Sequence, residues 1–243
     1  MEGNQSYLSH INPSVKLIAH LAVMFLLMMI SEPGKTLLIW TAFLFLGMIG
    51  GGWTIKYLLK VMPPYFVFFV LTFWMLAAFG KGETEIWQWA WFRITAESAS
   101  NGLTIATRML AFVTIGLLFT STTCIHPFMM SLVHQLKVPP KWAYGFMAGF
   151  RCIPLFQKEL AHLKEAHRIR GCRHNGSWQT FKRYAVPLLT NAVRKSERMA
   201  LAMEVRGFTG DRDRSYYKKT IVTKKDYYYA SLLVGSTVFI LIF

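Results

Sequence analysis

Apolar residues along this chain gather into runs of membrane length, at about 15–30, 36–50, 61–80 and 102–120, with a shorter run at 227–243. A helix that crosses a bilayer needs about 20 mostly apolar residues, so the pattern predicts four spanning helices and a fifth at the carboxyl end. Pro63-Pro64 near the start of the third run predicts a kink, because proline removes a backbone donor and crowds the preceding turn. Between the third and fourth runs, Trp87, Trp89 and Trp91 alternate along the chain. That spacing suits a short strand, but is read here as a belt of aromatic side chains at headgroup level.

After the fourth run the pattern turns amphipathic. Thr120-Ser121-Thr122-Thr123 followed by Pro127 supplies capping hydroxyls and a helix-starting proline, which predicts a helix from near His126 that ends before Pro139-Pro140. Residues 141–156 are moderately apolar but carry Arg151 and Pro154, which places them at the membrane boundary. Beyond them Phe156, Leu160, Leu163, His167 and Arg170 recur at steps of four and three, one stripe of a helix that Gly171 ends. A second such helix is predicted from Pro187, with Leu189, Ala192, Ser196, Met199, Met203 and Arg206 on its stripe and Gly207 at its end. Residues 173–184 between them read as a polar, basic connection with a turn at Asn175-Gly176-Ser177.

Composition sharpens this picture. The 243 residues are 53% hydrophobic and 15% aromatic, a bias away from soluble domains. The formal charge of +15 is unevenly placed: residues 137–226 hold twenty of the 27 Lys and Arg but seven of the twelve acids, a net +13. Such an excess beside spanning helices marks cytoplasmic chain. Lys56 and Lys60 then also lie inside, Glu32, Glu83, Glu85 and Glu97 outside, and the amino terminus is cytoplasmic. The first run is read as a retained span and not a signal peptide, since no basic segment precedes it and no small-x-small site follows Ile30. Cys124, Cys152 and Cys172 form no CxxC pair and are expected to be reduced structural thiols. The expected division is 1–125 as amino-terminal transmembrane helices, 126–220 as a cytosolic and interfacial domain, and 221–243 as a carboxyl-terminal transmembrane helix.

Few residues suggest chemistry. Gly34-Lys35-Thr36 lacks the first glycine of a phosphate-binding loop, and His162 and His167, five apart, do not share a helix face, so neither nucleotide nor metal is expected. No nucleophile and base are arranged for catalysis. Arg108 lies in the fourth apolar run, where a charge is costly, and is expected to reach water along its aliphatic stem. The signal that remains is a repeated helix ending, Ile169-Arg170-Gly171 and Val205-Arg206-Gly207, with the two arginines 36 positions apart. A cation at a helix carboxyl end gains about 0.3 to 1 kcal/mol from the dipole, so one such end would mean little. Two, on matched stripes in a basic segment, suggest a pair of rigidly held guanidinium forks for carboxylate-lined grooves.

Thr107-Arg108-Met109-Leu110, Thr122-Thr123, Pro127, Arg151 with Pro154-Leu155, Glu159, residues 166–171, Pro187-Leu188-Leu189, Glu197 and residues 202–208 together resemble the transmembrane T component of energy-coupling factor transporters. The similarity is close over about residues 100–210 and one of character before that. It implies an all-α polytopic membrane protein with about five transmembrane helices and a cytosolic pair of amphipathic coupling helices. It further implies a scaffold that joins two ABC-type ATPases to a membrane S component in the uptake of a vitamin or other micronutrient. Arg170 and Arg206 would be the docking residues, Gly171 and Gly207 their caps, and the stripes named above would support the S component or pack the coupling helices together. Ile169 and Val205 stand where the family often has alanine. ATP hydrolysis would belong to the partners, with no cofactor in this chain. Two other classes fit less of the pattern: an integral membrane enzyme acting on an anionic or lipid substrate, which would need an acid cluster or nucleophile near the interface, and a membrane-tethered nucleic-acid binder, for which the apolar stripes have no use.

Overall fold

The computed structural model describes residues 7–80, 84–89, 92–171, 176–211, 216 and 219–242. Among these residues the chain is helical apart from one hairpin. A short 3-10 turn, Tyr7–His10, precedes α1 (Pro13–Met29), α2 (Pro33–Ile49), α3 (Ile55–Val61) and α4 (Pro63–Phe79). The hairpin β1 (Glu85–Trp89) and β2 (Phe92–Thr95) follows, then α5 (Ala96–Thr122), α6 (Ile125–Gln135), α7 (Pro140–Ile169), α8 (Ser177–Val205) and α9 (Lys224–Ile242). Four helices open on proline, at Pro13, Pro33, Pro63 and Pro140. At a helix start the missing N–H has no intrahelical bond to lose, and the ring presets φ.

By length and composition α5, at 27 residues, is long and apolar enough to cross a membrane, and α3 with α4 qualifies if the pair is one span. That pair bends by 52° at the break before Pro63, where the double proline predicted a kink. α1 and α2 are apolar helices of 17 residues each, at the short end of spanning lengths. α9 opens on Lys224, Lys225 and Asp226, which lowers its mean hydropathy. The alternating tryptophans belong to a strand: β1 pairs antiparallel with β2, Trp87 opposite Ile94 and Trp89 opposite Phe92. The reading as an aromatic belt alone is therefore corrected, the period of two being that of extended chain. Trp91, Glu83, Cys172 and residues 173–175 lie outside the described residues.

The chain divides into two units, residues 1–131 with 220–243, and residues 132–219. In the first, α5 packs on α2, α4 and α1, and α1 packs on α9. Its core joins Val23 and Leu27 of α1, Ile39 and Phe43 of α2, Ala111, Ile115 and Leu118 of α5, and Leu233 of α9. A ring packs on bare backbone at Gly47, where a Cβ would stand 2.4 Å from the Trp53 ring. Trp53 is itself fixed by its indole N–H, which donates to Ser121 Oγ at 2.9 Å.

Two cations, Lys16 buried and Arg108 half-buried, link α1 to α5 at both ends. Lys16, near the start of α1, is 1% exposed, and its Nζ donates to Thr122 O at 3.3 Å, Thr122 Oγ1 at 3.1 Å and Leu8 O at 2.6 Å. Thr122 is the last residue of α5. Arg108 of α5 in turn donates through Nη2 to the carbonyl of Ile30, the carboxyl-terminal cap of α1. Each cation thus satisfies a carbonyl at the negative end of the other helix. Arg108, half-buried, thus also closes α1. Asp226, 2% exposed at the start of α9, accepts from Asn12 N at 2.8 Å, Thr223 N at 2.7 Å and Thr223 Oγ1 at 2.8 Å. Its carboxylate caps α9 and anchors the residue that caps α1.

Candidate docking surface on α7 and α8

The second unit is built on α7, 30 residues, and α8, 29 residues. Both run through an internal proline, Pro154 and Pro187. Pro187 does not start the second amphipathic helix as its position suggested; α8 starts at Ser177, ten residues earlier. Gly176, with φ of +76°, is the residue before α8, Asn175 of the predicted turn lies outside the described residues, and Trp178–Tyr184 are helical and not a connection. One proline costs a helix a single donor, and a long helix with a partner to pack on tolerates that loss.

Contacts between the two helices run in opposite senses along the chain, so they pair antiparallel. His167 meets Tyr184 edge to face at 5.3 Å between ring centroids. Glu159 accepts from Asn191 Nδ2 and Lys195 Nζ, both at 2.8 Å, and Lys195 lies 5.9 Å from the centre of the Phe156 ring. Tyr144, near the start of α7, meets Phe208, just past the end of α8, at 5.4 Å. The hydrogen bond from Lys195 holds the Glu159 carboxyl below the usual carboxylate range, with smaller help from Asn191.

On α7 the predicted stripe of Phe156, Leu160, Leu163 and His167 is half-buried, and Glu159 and Ala166 share its face. On α8 the register differs. Ala192, Met199 and Met203 are half-buried as a stripe requires, whereas Leu189 is 65% exposed and Ser196 turns outward, its hydroxyl bonded to Val193 O at 2.8 Å. Tyr184, Leu188, Asn191 and Lys195 occupy the inner face instead. The seam thus differs from the stripe that the periodicity traced, because it takes in two polar residues, Asn191 and Lys195, that Glu159 holds. Outward faces are apolar too: Trp142, Phe146, Phe150 and Ile153 on α7, and Val186, Leu189 and Val193 on α8. His162 stands apart from His167, exposed beside Glu165 at 3.9 Å.

Both helices end on the same geometry. Arg170 and Arg206 are the caps, and Gly171 and Gly207 follow with φ of +64° and +78°. Nothing lies within 4 Å of a Cβ built on either glycine, so it is the left-handed backbone that calls for glycine there. Gly171 N donates to Arg168 O at 3.2 Å and Gly207 N to Glu204 O at 2.9 Å, while Phe208 N reaches Met203 O at 2.9 Å, completing a Schellman motif at the end of α8. Arg170 and Arg206 are exposed and have no acidic partner among the described residues. Ile169 and Val205 beside them are each 87% exposed. Antiparallel pairing puts these two ends far apart, roughly 40 Å at 1.5 Å per residue.

The cobalt transport protein family, CbiQ, matches residues 4–217 of the sequence. This chain belongs to that family. It is 24% identical over 234 residues to the energy-coupling factor transporter transmembrane protein EcfT of Lacticaseibacillus paracasei, covering 91% of this chain and 88% of that one. To the protein of the same description from Ruminiclostridium cellulolyticum it is 26% identical over 245 residues, covering 96% and 90%. The Brevibacillus brevis protein is 26% identical over 186 residues, 71% and 70% of the two chains. The CbiQ-family chain described here is accordingly a transmembrane component of an energy-coupling factor transporter and resides in a membrane.

Proposed function

We propose that this chain is the scaffold through which two ABC-type ATPases act on a membrane S component to take up a vitamin or other micronutrient. One observation carries the reading: two matching guanidinium-bearing helix ends, each followed by a left-handed glycine, exposed and without an acidic partner among the described residues, stand at opposite ends of one antiparallel helix pair. Two separated hooks on one stiff element suit two partners bound side by side. Ile169, Arg170 and Gly171 dock one ATPase and Val205, Arg206 and Gly207 the other. The exposed Ile169 and Val205 add apolar contact around each charge.

The inner stripes of α7 and α8 hold the pair together, so that a displacement of either end moves both helices. The outward apolar faces, Trp142 to Ile153 and Val186 to Val193, then lie against the S component and lipid. Residues 126–220 form the cytosolic and interfacial coupling domain, flanked by transmembrane helices in 1–125 and 221–243. The net +13 over residues 137–226 supports a cytoplasmic position for this domain and for the amino terminus, in a multi-pass chain whose spans are α1, α2, the bent α3 and α4, α5 and α9. ATP hydrolysis belongs to the partners; this chain transmits force and has no catalytic step.

Arg170→Ala or Arg206→Ala should weaken ATPase docking by roughly 2–5 kcal/mol, because truncation leaves a desolvated carboxylate unpaired in the partner. Co-purification of ATPases with the double variant at the wild-type level would refute the docking role.

A further inference from the structure

Arg206 does not stand alone on its end of the helix pair. It shares a cavity of about 390 Å³ with Arg151 of α7, walled by Tyr144 and Met147 from α7 and by Met199 and Met203 from α8. We propose that Arg151 is a second docking residue, and that with Arg206 it forms a two-guanidinium cleft for a carboxylate side chain of the ATPase bound at the α8 end. The inference rests on the docking role of Arg206 proposed above.

Charge is the first argument. Neither arginine has an acidic partner among the described residues, so two like charges face one low-polarity space. Bringing a carboxylate between them removes that repulsion and adds two charge-assisted contacts. The contrast lies on the same seam. Two helical turns further along α7, Glu159 already satisfies the α8 cation Lys195 at 2.8 Å. The seam therefore neutralises its own lysine and leaves its arginine pair open.

The walls give the second argument. Methionine side chains adapt to the shape of whatever enters, while the frame around them is stiff. Gly207 and Phe208 close α8 in a Schellman motif, and Phe208 is held against Tyr144. A planar fork at a fixed position favours a bidentate carboxylate over a diffuse counterion. An acidic side chain of a protein partner, which arrives on its own rigid backbone, matches these features better than a mobile headgroup.

The experiment measures the affinity of the purified ATPases for the full chain in a neutral detergent, which leaves anionic lipid out. Arg151→Gln should weaken binding about tenfold or more, with an unchanged thermal midpoint because Arg151 is exposed. Arg151→Glu should weaken it further, and Arg151→Lys less than Arg151→Gln. The double variant R151Q/R206Q should lose less than the product of the two single losses, since both side chains act on one carboxylate. Unchanged affinity for both R151Q and R151E beside a weakened R206Q overturns the cleft alone, as does a loss that appears only when anionic lipid is added. Unchanged affinity for R206Q and R170Q as well would sink the docking role beneath it.

Discussion

The two units handle their polar and apolar groups in opposite ways. In residues 1–131 with 220–243, Lys16, Asp226 and Arg108 turn inward and find backbone carbonyls or amides, and the aliphatic side chains of α1, α2, α5 and α9 close over one another. In residues 132–219 the helices share a single seam, and Ile169, Val205, Trp142 and Leu189 remain outside with Arg170 and Arg206. The first unit finds partners for these three charges within itself, with an apolar exterior suited to lipid. The second exposes apolar surface together with arginines that have no acidic partner among the described residues, the two elements a protein contact uses.

Three changes would sharpen that contrast. Asp226→Ala removes an acceptor for three donors at once, and charge-assisted hydrogen bonds are worth about 1.5–3 kcal/mol each. It should lower stability by about 3 kcal/mol or more, read as a large fall in the thermal midpoint of the purified chain in detergent; a midpoint within a degree of wild type would contradict an internally anchored α9. Gly47→Val forces a branched side chain into the Trp53 ring, 2.4 Å from the first added carbon, in a ring already held by Ser121. Overpacking of this kind should destabilise by about 1–3 kcal/mol, and Trp53→Ala in the same background should relieve the clash while leaving a cavity. Tolerance of Gly47→Val alone would mean the first unit is looser than its contacts indicate.

The smallest expected effect lies in the second unit. Because the Glu159 carboxyl is held below its ordinary range by Lys195, its contribution is full above the unfolded carboxylate value and is lost as pH falls through the lowered folded value. Both groups are partly solvated, so Glu159→Gln should cost well under about 1 kcal/mol near neutrality. Hydrogen exchange of the α8 amides would report it as faster exchange in the variant at neutral pH, converging with wild type in acid. A difference that persists below the carboxylate range would assign the effect to packing instead of charge.

Much of this was legible in the sequence. Apolar runs gave the positions of α1, α2, α4, α5 and α9, because burial in lipid or in a helical core selects the same residues. Glycine after arginine marked the ends of α7 and α8, because a left-handed backbone is a local requirement that one residue type meets cheaply. Pro187 misled because its local cost was overridden by the packing of a long helix on its neighbour. The alternation of Trp87 and Trp89 reads as a belt although it also suits a strand, because the pairing partner, β2, is not visible in a local pattern. The stripe through Leu189 and Ser196 leaves open which face meets α7, and hydropathy cannot foresee that Asn191 and Lys195 are drawn inward by Glu159.

Sequence alone determined the helical character of the chain, the kink at Pro63, the matched arginine and glycine endings and the family to which they point, since each depends on composition or on residues a few positions apart. Tertiary structure decided which cations are satisfied. Lys16 and Arg108 reach carbonyls more than 75 positions away, Asp226 reaches an amide 214 positions away, and Arg151 comes to the same cavity as Arg206. A charge's role depends on its partner, and only the packing of distant helices says whether that partner lies within this chain or must come from another.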